Sequence, residues 1–164
     1  MNHFLFRKSE PRPLYVSRRL LNAYDLIKWA KENGFEKTVP QEEMHVTCCY
    51  SKTPIDWFAV DPDWNGYAYV EAGGARMVEI LGDKGARVLR FQSEGLQWRF
   101  EAFRNAGASW DHETYQPHVT LSYESGPADL ASLTAYSGPL EFGPEIFAPI
   151  SNNYQATLVE KREA

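Results

Sequence analysis

One short sequence occurs twice in the chain. Residues 45–50 are His-Val-Thr-Cys-Cys-Tyr and residues 118–123 are His-Val-Thr-Leu-Ser-Tyr, so four of six positions are identical. The chain has only four histidines, and His3 and His112 lack this context. One such segment would be ordinary strand sequence, but two copies at matching offsets indicate a function. The candidate catalytic residues are therefore His45, Thr47, His118 and Thr120.

An imidazole and a hydroxyl two residues apart suit displacement at phosphorus. Side chains alternate along a strand, so we expect His45, Thr47 and Cys49 to share one face. In such a reaction one group takes a proton from the attacking hydroxyl and another returns one to the leaving oxygen, and histidine can do either. The entering and leaving oxygens stand roughly in line, so the two histidines should lie on opposite sides of one phosphate. The threonine hydroxyls would donate hydrogen bonds to its non-bridging oxygens, and the sequence leaves the roles of acid and base open.

Other chemistries fit this pattern less well. A zinc site needs a third protein ligand, and although Cys49 follows His45, the matching position in the second copy is Ser122. Neighbours on one face of a strand are poorly placed for proton transfer, which disfavours Cys49 as a nucleophile. The glycine patterns that bind nucleoside triphosphates or dinucleotides are absent from the sequence. We therefore expect catalysis with no metal and no other cofactor.

The two motifs lie on predicted strands in a chain of mixed elements. The spacing of apolar residues predicts helices over residues 22–33 and 95–105 and a short one over 128–133. Strands are predicted at 14–17, 44–50, 66–71, 76–81, 86–91, 118–123 and 140–150, the last interrupted by Gly143-Pro144. Glycine-containing turns at 72–74 and 82–85 indicate an antiparallel meander of three strands. Because hairpins dominate, we expect an α+β fold in a single domain, residues 1–164, rather than a parallel α/β fold.

Composition and charge narrow the class of protein. The 164 residues are 43% hydrophobic, which is enough to bury a core, and a net charge of -5 argues against binding of long nucleic acids. A small anionic nucleotide is still compatible, because basic residues gather near the start of the chain, although a solvated surface run explains them equally well. These residues are Arg7, Lys8, Arg12, Arg18 and Arg19.

The cysteines and the apolar runs bear on location. Cys48 and Cys49 are adjacent and cannot build a disulfide framework, which suggests a reducing compartment. Neither a signal peptide nor a membrane-spanning run is indicated. We therefore expect a cytoplasmic protein without a membrane partner.

The paired motifs resemble those of the 2H phosphoesterase superfamily, whose members carry two His-x-Thr or His-x-Ser motifs. His45-Val46-Thr47 and His118-Val119-Thr120 match both. The resemblance implies a bilobal α+β fold with a pseudo-two-fold axis, in which two antiparallel sheets with flanking helices surround a central cleft. It also implies that the histidines are acid and base, that the hydroxyls bind the phosphate and that no metal is used.

A longer part of the chain is similar to the phage anti-CBASS enzymes, which are 2H proteins. The similarity runs from Leu14-Tyr15-Val16-Ser17-Arg18 through Gln116-Pro117-His118 to Gly143-Pro144-Glu145. It implies cleavage of 3′-5′ linkages in cyclic di- and trinucleotide signals such as 3′,3′-cGAMP, which silences immunity in the host cytoplasm. The resemblance further implies attack by the ribose 2′-hydroxyl, a cyclic phosphate intermediate, and bases held by aromatic residues and a C-terminal segment.

Three residues are candidates for the base contacts. Chemistry and position favour Tyr15 for stacking, Glu145 for a base edge and Tyr154 in a closing tail. The alternative for the tyrosines is core packing, and for Glu145 it is a surface carboxylate. Two other functions stay open: a 2H enzyme that acts on RNA ends with 2′,3′-cyclic phosphates or on 2′-5′ linkages, and a protein that sequesters nucleotides without cleaving them.

Overall fold

The computed structural model describes residues 10–150, which form two α-helices and eight β-strands. The helices are α1 (Ala23–Glu32) and α2 (Glu94–Asn105). The strands are β1 (Arg12–Arg19), β2 (His45–Ile55), β3 (Ala68–Val70), β4 (Arg76–Leu81), β5 (Ala86–Phe91), β6 (His118–Ser122), β7 (Leu140–Phe142) and β8 (Ile146–Ala148). Neither helix of this part of the chain has the length and apolar character that crossing a bilayer requires.

Six strands form one antiparallel sheet in the order β4-β5-β6-β2-β1-β8, and β3 and β7 form a second, two-stranded sheet. The predicted α+β class is confirmed. The two sheets are unequal in size, and both motif strands, β2 and β6, belong to the larger one.

The large sheet has approximate two-fold symmetry about its middle. Its central strands β2 and β6 are joined through the pair Val46 and Val119, which occupy the same position in the two motifs. The flanking strands correspond in the same way, with β1 beside β2 and β5 beside β6. The repeat in the sequence therefore becomes a repeat in space.

One face of this sheet carries the core. Val46 and Val119 are fully buried, and they belong to one cluster of buried hydrophobic side chains that also includes Leu26 of α1 and Phe103 of α2. Removing such side chains from water stabilises the fold by roughly 1.5–3 kcal/mol each. Both helices pack on this face. The alternate side chains of the central strands therefore lie on the opposite face of the sheet.

Two local predictions are wrong. The hairpin between β4 and β5 forms, with Gly82 and Gly85 at positive φ, but β3 pairs with β7 instead of β4, so residues 72–74 are not a hairpin turn. The three residues of β3 pair with β7, which lies far from β3 in the sequence, and not with the adjacent strand β4. The predicted helix over 128–133 is only a 3-10 turn at Leu130–Ser132, because so few residues cannot offset the cost of helix nucleation.

Candidate active site

The four predicted catalytic side chains lie together on one face of the central strands. In the antiparallel register set by Val46 and Val119, His45 stands opposite Thr120 and Thr47 stands opposite His118. All four are partly exposed, whereas the two valines are fully buried on the other face. Cβ atoms of directly opposed residues lie about 4.5–5.5 Å apart and diagonal neighbours about 7–8 Å. The histidines therefore occupy diagonal corners of a small square, and the threonines occupy the other two.

Both imidazole rings are held in the same way. Nδ1 of His45 lies 2.7 Å from the carbonyl oxygen of Glu43, and Nδ1 of His118 lies 2.8 Å from that of Gln116. A carbonyl oxygen accepts, so Nδ1 carries the proton of the neutral ring and Nε2 is left with a lone pair. Each motif thus orients its imidazole through the backbone two residues earlier, and turns Nε2 away from that backbone.

Burial lowers the pKa of His118 below its ordinary value of 6.5. The hydrogen bond to Gln116 and the negative charge of Glu79 oppose this effect, and His112 adds to it. The neutral form of His118, with Nε2 able to take a proton, therefore dominates at neutral pH.

The strict alternation predicted beyond Thr47 is wrong, because β2 carries a bulge. Thr47 pairs with Ser17 while Cys49 pairs with Val16, so Cys48 is an extra residue. Cys49 consequently turns into the core, where it is 1% exposed and burial raises the pKa of its thiol to about 12. A thiol in this state is neither a nucleophile nor a ready metal ligand for the site. Within residues 10–150, no three His, Cys, Asp or Glu side chains are grouped to hold a metal ion.

The second motif has the same bulge. On β6, Thr120 pairs with Val88 while Ser122 pairs with Arg87, so Leu121 is the extra residue and Ser122 is buried. The bulge shifts the phase by one residue, so the sixth position of each motif, Tyr50 or Tyr123, is partly exposed again. This explains how a tyrosine five residues after the histidine, an odd offset, is partly exposed again in both copies.

Tyr15 lies at the site. Its hydroxyl is 3.5 Å from Oγ1 of Thr47, and its ring meets that of His45 edge to face at 6.4 Å between centroids. Tyr50, which the sequence did not single out, packs against Tyr15 at 5.8 Å. The sequence feature that could have identified Tyr50 is the tyrosine that both copies of the repeat share at their sixth position.

Glu145 lies elsewhere, in a buried ionic cluster. Its side chain is fully buried, with Oε1 2.7 Å from Nη2 of Arg99 and Oε2 3.6 Å from Nη2 of Arg18. It also accepts a hydrogen bond from the backbone N–H of Asp63. These bonds occupy the carboxylate, so the geometry favours a structural role over the predicted contact with a base edge. Tyr154 lies outside the described residues.

The predicted basic cluster does not form one patch among the described residues. Arg18 is 2% exposed and bonds to Asp63, Arg12 lies over the ring of Trp57 at 3.9 Å, and Arg19 is exposed. Successive residues of a strand point to opposite faces, which separates Arg18 from Arg19.

Two arginines lie at the site: Arg19, which the sequence placed only in a general basic cluster, and Arg90, which it did not predict. Arg19 pairs with His45 across β1 and β2, and Arg90 pairs with His118 across β5 and β6. Paired residues share a face, so each histidine has an arginine as its neighbour on the adjacent strand. Nη1 of Arg90 lies 3.2 Å from Oε1 of Glu79 in an ion pair. Finding these residues required the strand order, which the sequence alone does not supply.

A family model described as anti-CBASS protein Acb1 matches residues 12–157. The chain belongs to the Acb1 family. Its relatives include anti-CBASS protein Acb1 of Caulobacter sp. (strain RHG1), which is 51% identical over 155 residues, or 93% of this chain. Acb1 of Salmonella phage S16 is 30% identical over 147 residues, which cover 88% of this chain and 93% of the phage protein. The chain spans only about a quarter of the Caulobacter relative and of its Sphingomonas paeninsulae counterpart, at 25% and 24% of their lengths.

The chain also shares its fold with a bacterial protein of known structure. E. coli LigT, in a crystal structure with 3′-AMP, superimposes with a TM-score of 0.55 over 87% of this chain and 97% of LigT. Only 12% of the aligned residues are identical. The predicted 2H-like fold of this Acb1 family member is thus confirmed.

Proposed function

We propose that this chain is a phosphodiesterase that cleaves 3′-5′ bonds of cyclic di- and trinucleotide second messengers, as a counter-defence against CBASS immunity. One observation carries the proposal: in the register of β2 and β6, two imidazoles and two hydroxyls share one face of the sheet, an arrangement that suits a single phosphate. Membership of the Acb1 family supports the substrate class. The activity would then belong to the cytoplasm of the host cell.

The diagonal arrangement suits in-line displacement. One histidine Nε2 takes the proton of a ribose 2′-hydroxyl, whose oxygen forms a bond to phosphorus. The bond from phosphorus to the 5′-oxygen breaks, and the other histidine gives that oxygen a proton. The opened nucleotide is left with a 2′,3′-cyclic phosphate at one end and a 5′-hydroxyl at the other.

The environment of His118 supports an assignment of the base. The lowered pKa of His118 favours the neutral form that a base requires. We assign the base to His118 and the acid to His45. Thr47 and Thr120, at the remaining corners, donate hydrogen bonds to the non-bridging oxygens as negative charge grows there.

The aromatic and basic neighbours fit a nucleotide. Tyr15 lies beside His45 and Thr47, which supports the proposal that its ring stacks on a base of the cyclic nucleotide. Arg19 and Arg90 bring positive charge to both sides of the site, although the whole chain is acidic. That the LigT crystal structure contains 3′-AMP supports a small nucleotide as ligand of this fold.

Product analysis tests the proposal. Incubation of 3′,3′-cGAMP with the protein in excess EDTA should yield linear products that mass spectrometry identifies, with a cyclic phosphate as the first product. Intact 3′,3′-cGAMP and intact cyclic trinucleotides after long incubation would refute it. Turnover of RNA with 2′,3′-cyclic ends instead would favour an RNA-processing enzyme, and ligand recovered unchanged from a tight complex would favour sequestration.

A further inference from the structure

A cavity of about 600 Å³ is lined by Arg90 and Pro117, which are neighbours of His118, and no step of the proposed reaction uses it. It lies where β4, β5 and the segment before β6 meet α2, and Met77, Arg90, Trp98 and Gln116 are among its lining residues. Small-molecule sites commonly measure about 300–1,000 Å³. The volume is therefore sufficient for a nucleoside.

The lining connects the cavity to the catalytic residues. Arg90 lies directly opposite His118, and Met77 lies opposite Arg90, so these three side chains form a row across one face of the sheet. Gln116 lines the cavity, and its backbone carbonyl holds Nδ1 of His118. Neighbouring strands are about 4.8 Å apart, so the cavity begins one strand away from the proposed reacting phosphate.

The lining also offers the chemistry of base recognition. Trp98 is 74% exposed on α2, which leaves a large aromatic surface in water. Gln97 and Gln116 add amide groups that both donate and accept hydrogen bonds. Exposed aromatic rings with nearby polar groups bind bases by stacking and by contacts to their edges.

We propose that this cavity binds the base of one nucleotide of the substrate, with Trp98 stacking on the base and Arg90 beside the phosphate attached to it. This rests on the proposed phosphodiesterase function. Tyr15 lies across the site beside His45, so the two halves of the sheet would hold two bases of the same ring on either side of the scissile phosphate. Trp98 is then a determinant of affinity and takes no part in bond breaking.

Steady-state kinetics on 3′,3′-cGAMP test the cavity with a matched control. Trp98→Ala should raise KM about tenfold, which corresponds to about 1.4 kcal/mol, and should leave kcat within about twofold. Trp98→Phe, which retains a ring, should recover most of the affinity. Tyr24→Ala removes an aromatic side chain that is 65% exposed on α1 and lies outside the cavity, and it should change neither constant.

Binding of 3′-AMP, one nucleotide of such a ring, separates the two proposals. If wild-type protein leaves the ring intact, the phosphodiesterase proposal fails, and calorimetric titration with 3′-AMP then tests the cavity by itself. A loss of about tenfold in 3′-AMP affinity in Trp98→Ala supports the cavity as a base site. Equal affinities or equal KM values in wild type and Trp98→Ala overturn it, and so does an absence of 3′-AMP binding to wild type.

Discussion

Replacing the site threonines by valine separates the two halves of the site. Valine keeps the shape of the side chain and removes the hydroxyl. Thr120 stands opposite His45 and Thr47 stands opposite His118, so each half supplies one hydroxyl to the proposed phosphate. Loss of a single donor to a developing oxyanion typically lowers kcat by about 10²–10³-fold. We expect a loss of this size in Thr120→Val.

The structure predicts a smaller loss for Thr47→Val. The Tyr15 hydroxyl lies 3.5 Å from Oγ1 of Thr47 and offers a second donor on that side of the phosphate. We expect Thr47→Val to lose only about tenfold in kcat, since part of the donation is replaced. Adding Tyr15→Phe should bring the double variant down to the level of Thr120→Val.

The assay is kcat at saturating 3′,3′-cGAMP, with products quantified by chromatography and folding checked by thermal unfolding. Thr53→Val is the control, because Thr53 is exposed on the same strand as Thr47 but beyond the bulge. Wild-type kcat in Thr120→Val would refute the role of the hydroxyls. A larger loss in Thr47→Val than in Thr120→Val would refute the contribution of Tyr15.

Three further predictions concern the surroundings of the site. If His118 is the base, kcat/KM should fall as pH drops through its pKa, which burial sets below 6.5, and Glu79→Gln should move this limb to still lower pH; a limb above 6.5 would contradict the assignment. Cys49→Ala should keep kcat within about twofold, because the thiol is buried with its pKa raised to about 12, and rapid reaction of the native protein with a thiol reagent would contradict this burial. Glu145→Gln should lower the free energy of unfolding by about 3–5 kcal/mol in urea titrations, because two arginines lose their buried partner; an unchanged stability with a raised KM would restore the base contact.

The candidate site could be predicted from the sequence because the repeat encodes each half of it locally. Alternation along a strand places His45 with Thr47 and His118 with Thr120, which needs no knowledge of the rest of the fold. That the two pairs share one face follows from the pairing of β2 with β6. The main elements were also predictable, since α1 and α2 carry clear helical spacing and β4 and β5 are separated by a glycine-containing turn.

What the sequence could not supply depends on pairing between distant strands. The bulges at Cys48 and Leu121 arise where β1 and β5 pair with the motif strands. The bulge at Cys48 reverses the expected orientation of Cys49. Glu145 forms ion pairs with arginines of β1 and α2, and these contacts join segments that are far apart in the chain. Arg90 could not be predicted either, because its position opposite His118 follows only from the strand order.

The claim that both imidazoles act on one phosphate is tested most directly by the rates of His45→Ala, His118→Ala and the double variant on 3′,3′-cGAMP in EDTA. Groups that act as a unit give losses that do not multiply. The account predicts that each single variant loses about 10²–10⁴-fold in kcat and that the double variant is at most about tenfold slower than the worse single one. A single variant with the wild-type rate, or a double variant whose loss equals the product of the two single losses, would contradict it.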